Sequence, residues 1–550
     1  MTFHELQKKV GALVNDRQST AGEYLACGTE LNQHINELPT YVRTLRAAFL
    51  SSYTITSLPE TVRGRGIFHN LAIECYTAPY NQFNQEITNP SSQLYQFIPQ
   101  IIYLLLDRPD ILSEDHMIEL IDQLAARTTA QIVIANFFES DKLNASLQAL
   151  TKNRESVHVL DFVSFINNIG IKEFWYTKYK ELGDLRLAPQ AFPDLAEVVL
   201  GYAVATAGNS KKCLLLDLDN TLWEGVVGED GLTGIKPNIP LQQHILNLYE
   251  TGVILTINSK NNFDDAMEAI ENHPKQLLRK HHFAAWRINW QDKDANTAEL
   301  ADELNLGLDS FVLFDDDNWN AERMRSSLPE VAVLHPNYAI DYTGFTKFHL
   351  TDEDRKRSEM YVKERERTEF KQQFKTTDHF IKELKLEITI KAAMPEAIAR
   401  ISQLTQKTNQ FNLMTRRYSV EEVRGLLAEG QKIWTLEAHD VFGDYGIVGV
   451  AMVKPGSKVW EITNFLMSCR VLGRGIEESF FNHILAVAKQ AKADKVTAQF
   501  IPTTKNKPSV SALPDAGFTL IDKEGEIQNY EFDLGKEPTK SPYIKVTVEG

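Results

Sequence analysis

The segment 212–219 constrains the fold more than any other part of the sequence. The apolar residues Cys213–Leu216 are followed at once by Asp217 and Asp219, two carboxylates separated by one residue. An apolar run this short, bounded by charge, is typical of a strand buried on both faces of a parallel sheet. Ligands bind at the carboxyl ends of such strands. Two carboxylates there repel each other unless a hard cation such as Mg²⁺ binds between them.

The Asp-x-Asp-x-Thr pattern that starts at Asp217 predicts a site for metal-assisted phosphoryl transfer. Asp217 is predicted to be the nucleophile and a metal ligand. Asp219 is predicted to be the general acid and base, and a metal ligand as well. Thr221 is predicted to bind the phosphate group. Acidic turns are common, so this pattern taken alone also fits a polar loop that closes a strand.

Two further segments supply groups for a phosphate. Residues 253–257 form a second apolar run, and Ser259 and Lys260, which follow it, are predicted to bind phosphate. Lys293 adds a cation that neutralises a transferring phosphoryl group.

A third apolar run, Phe311–Phe314, ends in Asp315 and Asp316, which are predicted metal ligands. Four elements therefore follow one another in the order and strand context of the haloacid dehalogenase (HAD) phosphatases. We expect a HAD-like, Rossmann-like domain with a parallel sheet and Mg²⁺ as its cofactor.

The composition is that of a large enzyme. A length of 550 residues predicts roughly three or four domains. No apolar run approaches the ~18 residues that span a bilayer, so no membrane contact is expected. No apolar core follows the basic residues near the N-terminus, so a secretory signal is not expected either. The net charge of −16 opposes nucleic-acid binding.

The cysteines are widely scattered and show no Cys-x-x-Cys spacing. We expect reduced thiols in a cytoplasmic protein, with neither a structural zinc nor a disulfide framework. The four are Cys27, Cys75, Cys213 and Cys469.

Residues 1–205 alternate apolar runs with polar, helix-length intervals, which predicts an α/β domain. Ser51 and Ser52 follow the first run, either as a hydrolase nucleophile or as strand-end serines that cap the next element. An SGNH hydrolase requires Asp-x-x-His near the end of the domain, but Asp184 is followed by Leu187 at the histidine position. The domain is predicted to be non-catalytic. The apolar runs are residues 47–50, 101–106, 132–135 and 157–160.

Charge patterning separates the later domains. Residues 349–375 are dominated by charged residues of both signs, which predicts a solvated helix that links domains. The predicted organisation is an N-terminal domain over residues 1–205, a HAD-like domain over 206–348, this linker, and a C-terminal domain over 376–550.

The C-terminal domain carries a second chemical signature. The apolar strand candidate Val459–Met467 leads to an Arg-x-x-Gly-x-Gly turn and then to a helical apolar stripe. GNAT acyltransferases hold the pyrophosphate of an acyl carrier in this way, because the backbone N–H groups of the turn and the helix N-terminus favour an anion. An ordinary glycine-rich turn before an amphipathic helix is the alternative. The predicted carrier- and pantetheine-binding residues are Arg470, Gly473, Arg474 and Gly475.

Cys469 lies immediately before this turn. A helix N-terminus and neighbouring arginines lower the pKa of a thiol, and a cysteine thioester suits transfer of an acyl group to another thiol. Most single cysteines are small buried hydrophobes, and we expect this of the other three. Cys469 is predicted to be catalytic.

Long motifs along nearly the whole chain resemble FkbH-like proteins, the HAD subfamily IIIC enzymes of polyketide pathways. The first motif reads Asp217-Leu-Asp-Asn-Thr-Leu-Trp-Glu-Gly-Val-Val-Gly-Glu-Asp-Gly231. Further similar motifs lie at residues 259–262, 303–310, 408–413, 442–446 and 468–475.

The resemblance implies an activity and partners. It implies that 1,3-bisphosphoglycerate is dephosphorylated and that its glyceryl group passes through Cys469 to the phosphopantetheine thiol of an acyl carrier protein. It also implies an SGNH-like fold for the first domain and a GNAT-like α+β fold for the last.

One motif departs from this family. FkbH-like proteins usually read Asp-Asp-Asn-Pro at the fourth HAD motif, with Glu-Arg two residues on. Here the sequence reads Asp315-Asp-Asp-Asn-Trp-Asn-Ala-Glu322. The two leading carboxylates are kept, so metal binding is expected to be kept. The change falls in the part of the loop that concerns substrate recognition.

Two other functions are compatible with the sequence. One is a stand-alone Mg²⁺-dependent phosphatase that acts on another acyl phosphate or phosphoester, with a C-terminal domain that only recognises a partner. The other is a non-catalytic assembly protein of a biosynthetic complex, although the full set of site residues argues against it. Four basic residues in the last domain favour the docking of an acidic carrier protein, or are ordinary solvated surface. They are Arg416, Arg417, Lys505 and Lys507.

Overall fold

The computed structural model describes residues 1–549 except 56, 108–111, 139, 153, 172–174, 176–178, 409–410, 469–470, 504–505 and 539–542. The chain divides into two compact units, Met1–Val362 and Lys363–Gly550. The division falls inside the helix Asp352–Lys371. The chain is multidomain and mixes helices with parallel sheet, as predicted.

The first unit begins with a parallel five-stranded sheet of order β2-β1-β3-β4-β5. Ala47 and Phe49 of β1 face one apolar core, and Ala48 and Leu50 face another, so helices cover both sides of the sheet. The predicted strands are confirmed. The second strand was missed because its outer half is partly exposed at the sheet edge. The strands are β1 Arg43–Ser51, β2 Leu71–Thr77, β3 Ile101–Leu105, β4 Gln131–Ala135 and β5 Val157–Leu160.

The helices that accompany this sheet follow the strands in βαβ order. Likeness of this sheet to the SGNH fold stays a prediction. These helices are Leu58–Gly66, Phe83–Thr88, Gln93–Phe97, Glu114–Arg127, Asp141–Thr151, Phe162–Ile169, Tyr179–Gly183 and Phe192–Thr206.

A second parallel sheet, of order β10-β9-β6-β11-β12, carries the predicted HAD motifs. Leu214 and Leu216 of β6 face one core and Cys213 and Leu215 the other. The carboxyl ends of all five strands therefore lie at one edge. A short antiparallel ribbon, β7-β8, stands beside it. The strands are β6 Cys213–Leu216, β7 Trp223–Glu224, β8 Lys236–Pro237, β9 Ile254–Ser259, β10 Phe283–Ile288, β11 Phe311–Phe314 and β12 Ala332–Leu334.

The helices around the second sheet alternate with its strands, which gives the expected Rossmann-like arrangement. They are Val227–Gly234, Ile239–Glu250, Phe263–Asn272, Lys293–Leu304 and Asn318–Ser327.

The first helices of the chain, Phe3–Val14 and Ala21–Leu31, pack with the second sheet. Leu6 and Val10 share a core with Leu214 of β6. Asn15 Nδ2 also donates to the carbonyl oxygen of Val333 at 3.1 Å. The segment predicted as one N-terminal domain over residues 1–205 is therefore divided in its packing between the two sheets.

The second unit is built on a mixed eight-stranded sheet of order β18-β19-β17-β16-β15-β14-β13-β20. The strands β13 to β16 pair antiparallel, and β16 pairs parallel with β17 across the helix Ile476–Gln490. The predicted strand Val459–Met467 and the helix after the glycine turn are both confirmed. The strands are β13 Glu387–Ala392, β14 Lys432–Asp440, β15 Gly443–Lys454, β16 Val459–Met467, β17 Lys495–Phe500, β18 Thr519–Glu524, β19 Ile527–Asp533 and β20 Lys545–Glu549. The remaining helices are Thr377–Leu384, Ile398–Lys407, Val420–Ala428 and Ala512–Asp515.

The carboxyl ends of β16 and β17 diverge, and the chain fills the gap between them. β16 pairs with β17 only over residues 459–462. Beyond that point the segment 411–413 lies between them. Leu413 N donates to the carbonyl oxygen of Phe465 at 3.0 Å, and Ile501 N donates to that of Leu413 at 2.9 Å.

The charged helix Asp352–Lys371 is confirmed, but it is not solvated on every side, because Ser358, Val362 and Arg367 are buried. Arg367 is 3% exposed, and its Nε and Nη2 lie 2.7 and 3.0 Å from the two carboxylate oxygens of Asp440. Ser358 Oγ, nearer the start of the helix, donates to the carbonyl oxygen of Tyr249 at 2.6 Å. The alternating charges did not indicate that these polar side chains would be buried and hydrogen-bonded. No helix within the described ranges is both long and apolar enough to cross a membrane.

Gly64 lies where the helices Ala21–Leu31 and Leu58–Gly66 touch. A Cβ atom added at Gly64 would lie 1.9 Å from the carbonyl oxygen of Tyr24. We expect Gly64→Ala to lower the free energy of unfolding by about 1–3 kcal/mol, measured by urea unfolding followed by circular dichroism. Gly228→Ala, also in a helix but with no atom within 4 Å of the new Cβ, is the control. Equal stability of the two variants would contradict the close contact.

Candidate active site

Three carboxylates meet at the carboxyl edge of the second sheet. Leu216 of β6 is paired with Phe314 of β11, so the residues that follow these strands are neighbours. Oxygen atoms of Asp217, Asp315 and Asp316 lie within 4.8 Å of one another. Hard oxygen ligands at this spacing fit a Mg²⁺ ion.

Lys293 lies against two of these carboxylates. Its Nζ is 2.9 Å from Asp217 Oδ1 and 2.5 Å from Asp315 Oδ2, and its side chain is 3% exposed. Burial lowers the pKa of Lys293, but the two carboxylates outweigh burial and hold the pKa above its ordinary value. Burial, and then the charge of Asp217, raise the pKa of Asp315. The site therefore needs positive charge to keep its carboxylates ionised together.

The Asp219 carboxylate does not join this cluster. Its Oδ1 accepts hydrogen bonds from Trp223 Nε1 at 2.8 Å and Val227 N at 3.0 Å, and its Oδ2 accepts one from Asn261 Nδ2 at 2.8 Å. The prediction that this side chain is a metal ligand is corrected, because three donors turn both oxygens elsewhere. Its role as general acid and base stays a prediction.

Asn258 positions Lys293 and was missed by the sequence analysis. Its Nδ2 donates to the carbonyl oxygen of Lys293 at 2.8 Å and lies 2.9 Å from Thr297 Oγ1, and its side chain is fully buried. These bonds fix the start of the helix Lys293–Leu304. Asn258 directly precedes Ser259 at the end of β9. A polar residue at this strand end is the sequence feature from which its role could have been predicted.

The predicted phosphate-binding residues surround the cluster at different depths. Ser259 ends β9 and is buried. Thr221 is also buried, and its Oγ1 has no hydrogen-bond partner in the part of the chain that is described, so a ligand oxygen can satisfy it. Lys260 is partly exposed, with its Nζ 3.6 Å from Asp292 Oδ1. It belongs to the rim of the site.

The predicted turn of the second unit is only partly described. Cys469 and Arg470 lie outside the described residues. Gly473 and Gly475 have φ angles of 69° and 79°, a left-handed conformation that favours glycine. Gly475 is the N-cap of the helix Ile476–Gln490.

Arg474 is not available to a carrier. It is 8% exposed, its Nη2 is 2.7 Å from Glu364 Oε1, and its Nη1 donates to the Tyr445 hydroxyl. The prediction that Arg474 binds the carrier's phosphate is corrected, because its guanidinium is used inside the protein.

A carboxylate of the protein itself occupies the turn. Glu477 Oε1 accepts a hydrogen bond from Gly473 N at 3.3 Å, and Glu478 follows in the same first helical turn. Burial, and then the charge of Glu478, raise the pKa of Glu477 to about 7. An external diphosphate at this helix N-terminus has to compete with these two acids.

The three described cysteines are packing residues, as expected. Cys27 and Cys213 are buried and Cys75 is half-buried. Burial raises the pKa of all three thiols, that of Cys213 to about 12.

The candidate hydrolase serines of the first sheet are held by backbone groups. Ser51 Oγ donates to the carbonyl oxygen of Leu105 at 3.0 Å, and Ser52 Oγ accepts from Asp107 N at 2.9 Å. Asp184, the acid considered for an Asp-x-x-His motif, forms an ion pair instead, with its Oδ1 3.0 Å from Arg186 Nε.

Removing the charge of Glu477 should strengthen the binding of an external diphosphate at this turn, for which coenzyme A is the probe. We expect Glu477→Gln to bind it roughly fivefold more tightly, because about 1 kcal/mol of repulsion at a helix N-terminus is lost. Isothermal titration calorimetry on the full chain measures this, with Glu421→Gln, in the first turn of the helix Val420–Ala428, as the control. Wild-type affinity should also rise as the pH falls through about 7, since Glu477 is then protonated. Equal affinities for all three proteins would contradict this account.

Comparisons with known proteins gave structural matches only. No protein-family model and no curated protein matches the chain. The chain is similar to the N-terminal part of BF1531 from Bacteroides fragilis, which contains a phosphatase domain and is complexed with Mg. That match is 24% identical, covers 59% of this chain and 98% of that one, and has a TM-score of 0.49.

Two further matches are transferases. The GNAT domain of S. lividans PAT is 18% identical over 26% of this chain and 89% of its own, with a TM-score of 0.22. Spermidine N-acetyltransferase from Vibrio cholerae, in complex with CoA and spermine, is 14% identical over 27% of this chain and 96% of its own, also with a TM-score of 0.22.

The motifs quoted from the sequence now have a structural context. The elements that supply Asp217, Ser259, Lys293 and Asp315 lie at the carboxyl edge of one parallel sheet, and the glycine turn joins a strand to a helix in a mixed sheet. The chain thus combines a parallel sheet that carries the acidic strand ends with a mixed sheet that carries the glycine turn.

Proposed function

We propose that this protein removes both phosphates of 1,3-bisphosphoglycerate and transfers the glyceryl group, through a thioester on Cys469, to the phosphopantetheine thiol of an acyl carrier protein. The reaction belongs to polyketide or related natural-product biosynthesis in the cytoplasm. The observation that carries the phosphatase half is the buried contact of Lys293 with Asp217 and Asp315. The transferase half rests on the motif resemblance.

The two phosphates leave by different chemistry. Attack on the phosphorus of the acyl phosphate would release a free carboxylate and lose the activation of the acyl group. The acyl phosphate is therefore displaced at its carbonyl carbon. The Cys469 thiolate forms the S–C bond, the C–O bond to phosphate breaks, and phosphate leaves with the electron pair. The carrier thiolate then attacks the thioester and releases Cys469.

The phosphate ester is hydrolysed at the second sheet. Asp217 attacks phosphorus, the ester O–P bond breaks, and Asp219, protonated at the start of this step, gives its proton to the leaving alkoxide oxygen. Asp219 then takes a proton from the water that attacks the aspartyl phosphate, and inorganic phosphate is released. Its hydrogen bonds from Trp223 and Asn261 orient Asp219 for both transfers. Lys293 stabilises charge on the phosphoryl oxygens.

The carboxylate cluster fits a resident cation. Asp217, Asp315 and Asp316 would hold Mg²⁺, which supplies further neutralisation of the phosphoryl oxygens when bound.

Three exposed cations support an acidic carrier as partner. Arg416 and Arg417 are exposed on one loop and Lys507 on another, whereas Lys505 lies outside the described residues. Asn506 Nδ2 donates to the carbonyl oxygen of Asn412 at 3.1 Å, which joins the two loops. Neighbouring positive charges accelerate docking of an acidic protein.

Asp217→Asn should abolish the phosphatase step. The amide keeps the shape but lacks the nucleophilic charge, so release of inorganic phosphate from 3-phosphoglycerate should fall by roughly 10³-fold or more. Chelation of Mg²⁺ should have a similar effect on the wild-type protein. Asp302→Asn, on an exposed face of the helix Lys293–Leu304, is the control. Undiminished phosphate release by Asp217→Asn would refute the assignment.

Cys469→Ala separates the transferase from a stand-alone phosphatase. Intact-protein mass spectrometry after incubation with 1,3-bisphosphoglycerate should show wild-type protein carrying one glyceryl unit less water, in a bond that hydroxylamine cleaves. The variant should gain nothing, and Cys75→Ala should behave as wild type. Pantetheinylated carrier protein should then discharge the adduct. If Cys469→Ala loads the carrier at the wild-type rate, the thioester route is wrong.

A further inference from the structure

An exposed tryptophan, Trp319, carries two cations over its ring. Lys260 Nζ lies 5.2 Å and Arg323 Cζ 5.7 Å from the ring centroid. The tryptophan is 59% exposed, so a ligand can reach its ring and the cations beside it. Trp319 lies in the part of the fourth motif that differs from the usual FkbH-like sequence.

The two cations converge on a single carboxylate. Lys260 Nζ is 3.6 Å from Asp292 Oδ1, and Arg323 Nη2 is 2.7 Å from Asp292 Oδ2. Arg323 Nε is also 3.1 Å from Asp294 Oδ1. Asp292 thus shows that one anionic group can bind both cations. In the described part of the chain, these contacts leave the second terminal nitrogen of Arg323 and most of the Lys260 ammonium for a further anion.

This group stands on the loops that build the phosphoryl site. Lys260 directly follows Ser259 at the end of β9, and Asp292 directly precedes Lys293 after β10. Trp319 follows the acidic end of β11. The segments after β9, β10 and β11, the last of them the helix Asn318–Ser327, begin at the same sheet edge as the segment after β6, where Asp217 lies. Because Lys260 directly follows Ser259 and Asp292 directly precedes Lys293, the two cations belong to the rim of the phosphoryl site.

We infer that Lys260 and Arg323, backed by Trp319, bind the anionic far end of the phosphoester that is hydrolysed at Asp217, before its acyl group passes to Cys469. The ligand class is a small phosphate ester with a second anionic group, either a carboxylate or an acyl phosphate. Arg323 and Trp319 are then specificity-determining residues. This inference rests on the proposed function, whose substrate is anionic at both ends, and it explains how an open HAD site selects such a molecule. Charge-assisted contacts to both ends orient the ester phosphate toward Asp217.

The test compares two substrates that differ only in the group at the far end, a carboxylate in one and an uncharged hydroxymethyl group in the other. The ratio of kcat/KM for 3-phosphoglycerate to kcat/KM for glycerol 3-phosphate is measured for the full chain with Mg²⁺. We expect Arg323→Gln to lower this ratio by about ten- to a hundredfold, because a hydrogen bond between charged groups is lost. Trp319→Ala should lower it too, since the ring that supports both cations is removed.

Arg287→Gln is the matched control. Arg287 also bridges two carboxylates, with Nε 2.8 Å from Glu299 and Nη1 2.9 Å from Glu303, but it contacts the outer helix face. Its substrate ratio should equal that of the wild type. An unchanged ratio in Arg323→Gln overturns the inference, whereas a wild-type protein that releases no phosphate from 1,3-bisphosphoglycerate or from either test substrate overturns the proposed function. In that second case, calorimetric affinities of Asp217→Asn protein for the two ligands, with and without Arg323→Gln, still decide the inference.

Discussion

The first unit depends on one buried ammonium group. Lys293 is almost inaccessible to water, and its desolvation is offset by Asp217 and Asp315. Removing either partner of such a pair leaves a buried charge, which costs about 3–5 kcal/mol. The ammonium reaches the cluster from the start of the helix that follows β10, across β9. The order of the strands, the start of this helix and the bonds from Asn258 to Lys293 are therefore all needed to place the ammonium group.

The second unit uses its charges for its own structure. Arg367 pairs with Asp440, its guanidinium lies 3.9 Å over the ring of Tyr445, and Tyr445 donates to Asp440 at 2.6 Å. Arg474 and Glu364 extend the same network. Buried ions of this kind stay ionised only while every member has its partner. An arginine inside a binding motif can thus be part of the framework.

Strand ends were predictable and side-chain directions were not. The apolar runs before Asp217, Ser259 and Asp315 located three neighbouring strands, because burial on both faces leaves a clear hydrophobic signal. The direction of the Asp219 carboxylate depends on Trp223, Val227 and Asn261, which become its neighbours only after folding. Arg474 was misassigned for the same reason. The missed strand Leu71–Thr77 lies at an edge, where exposure weakens the pattern.

The segment 411–413 has a consequence for what the second unit can recognise. It hydrogen-bonds to Phe465 on one side and to Ile501 on the other, so within the described residues it pairs backbone groups that these two strands leave open toward each other. A ligand that approached this edge as an extended chain would have to displace residues 411–413 before it could bond with either strand. The segment thus makes one continuous surface out of two diverging strands.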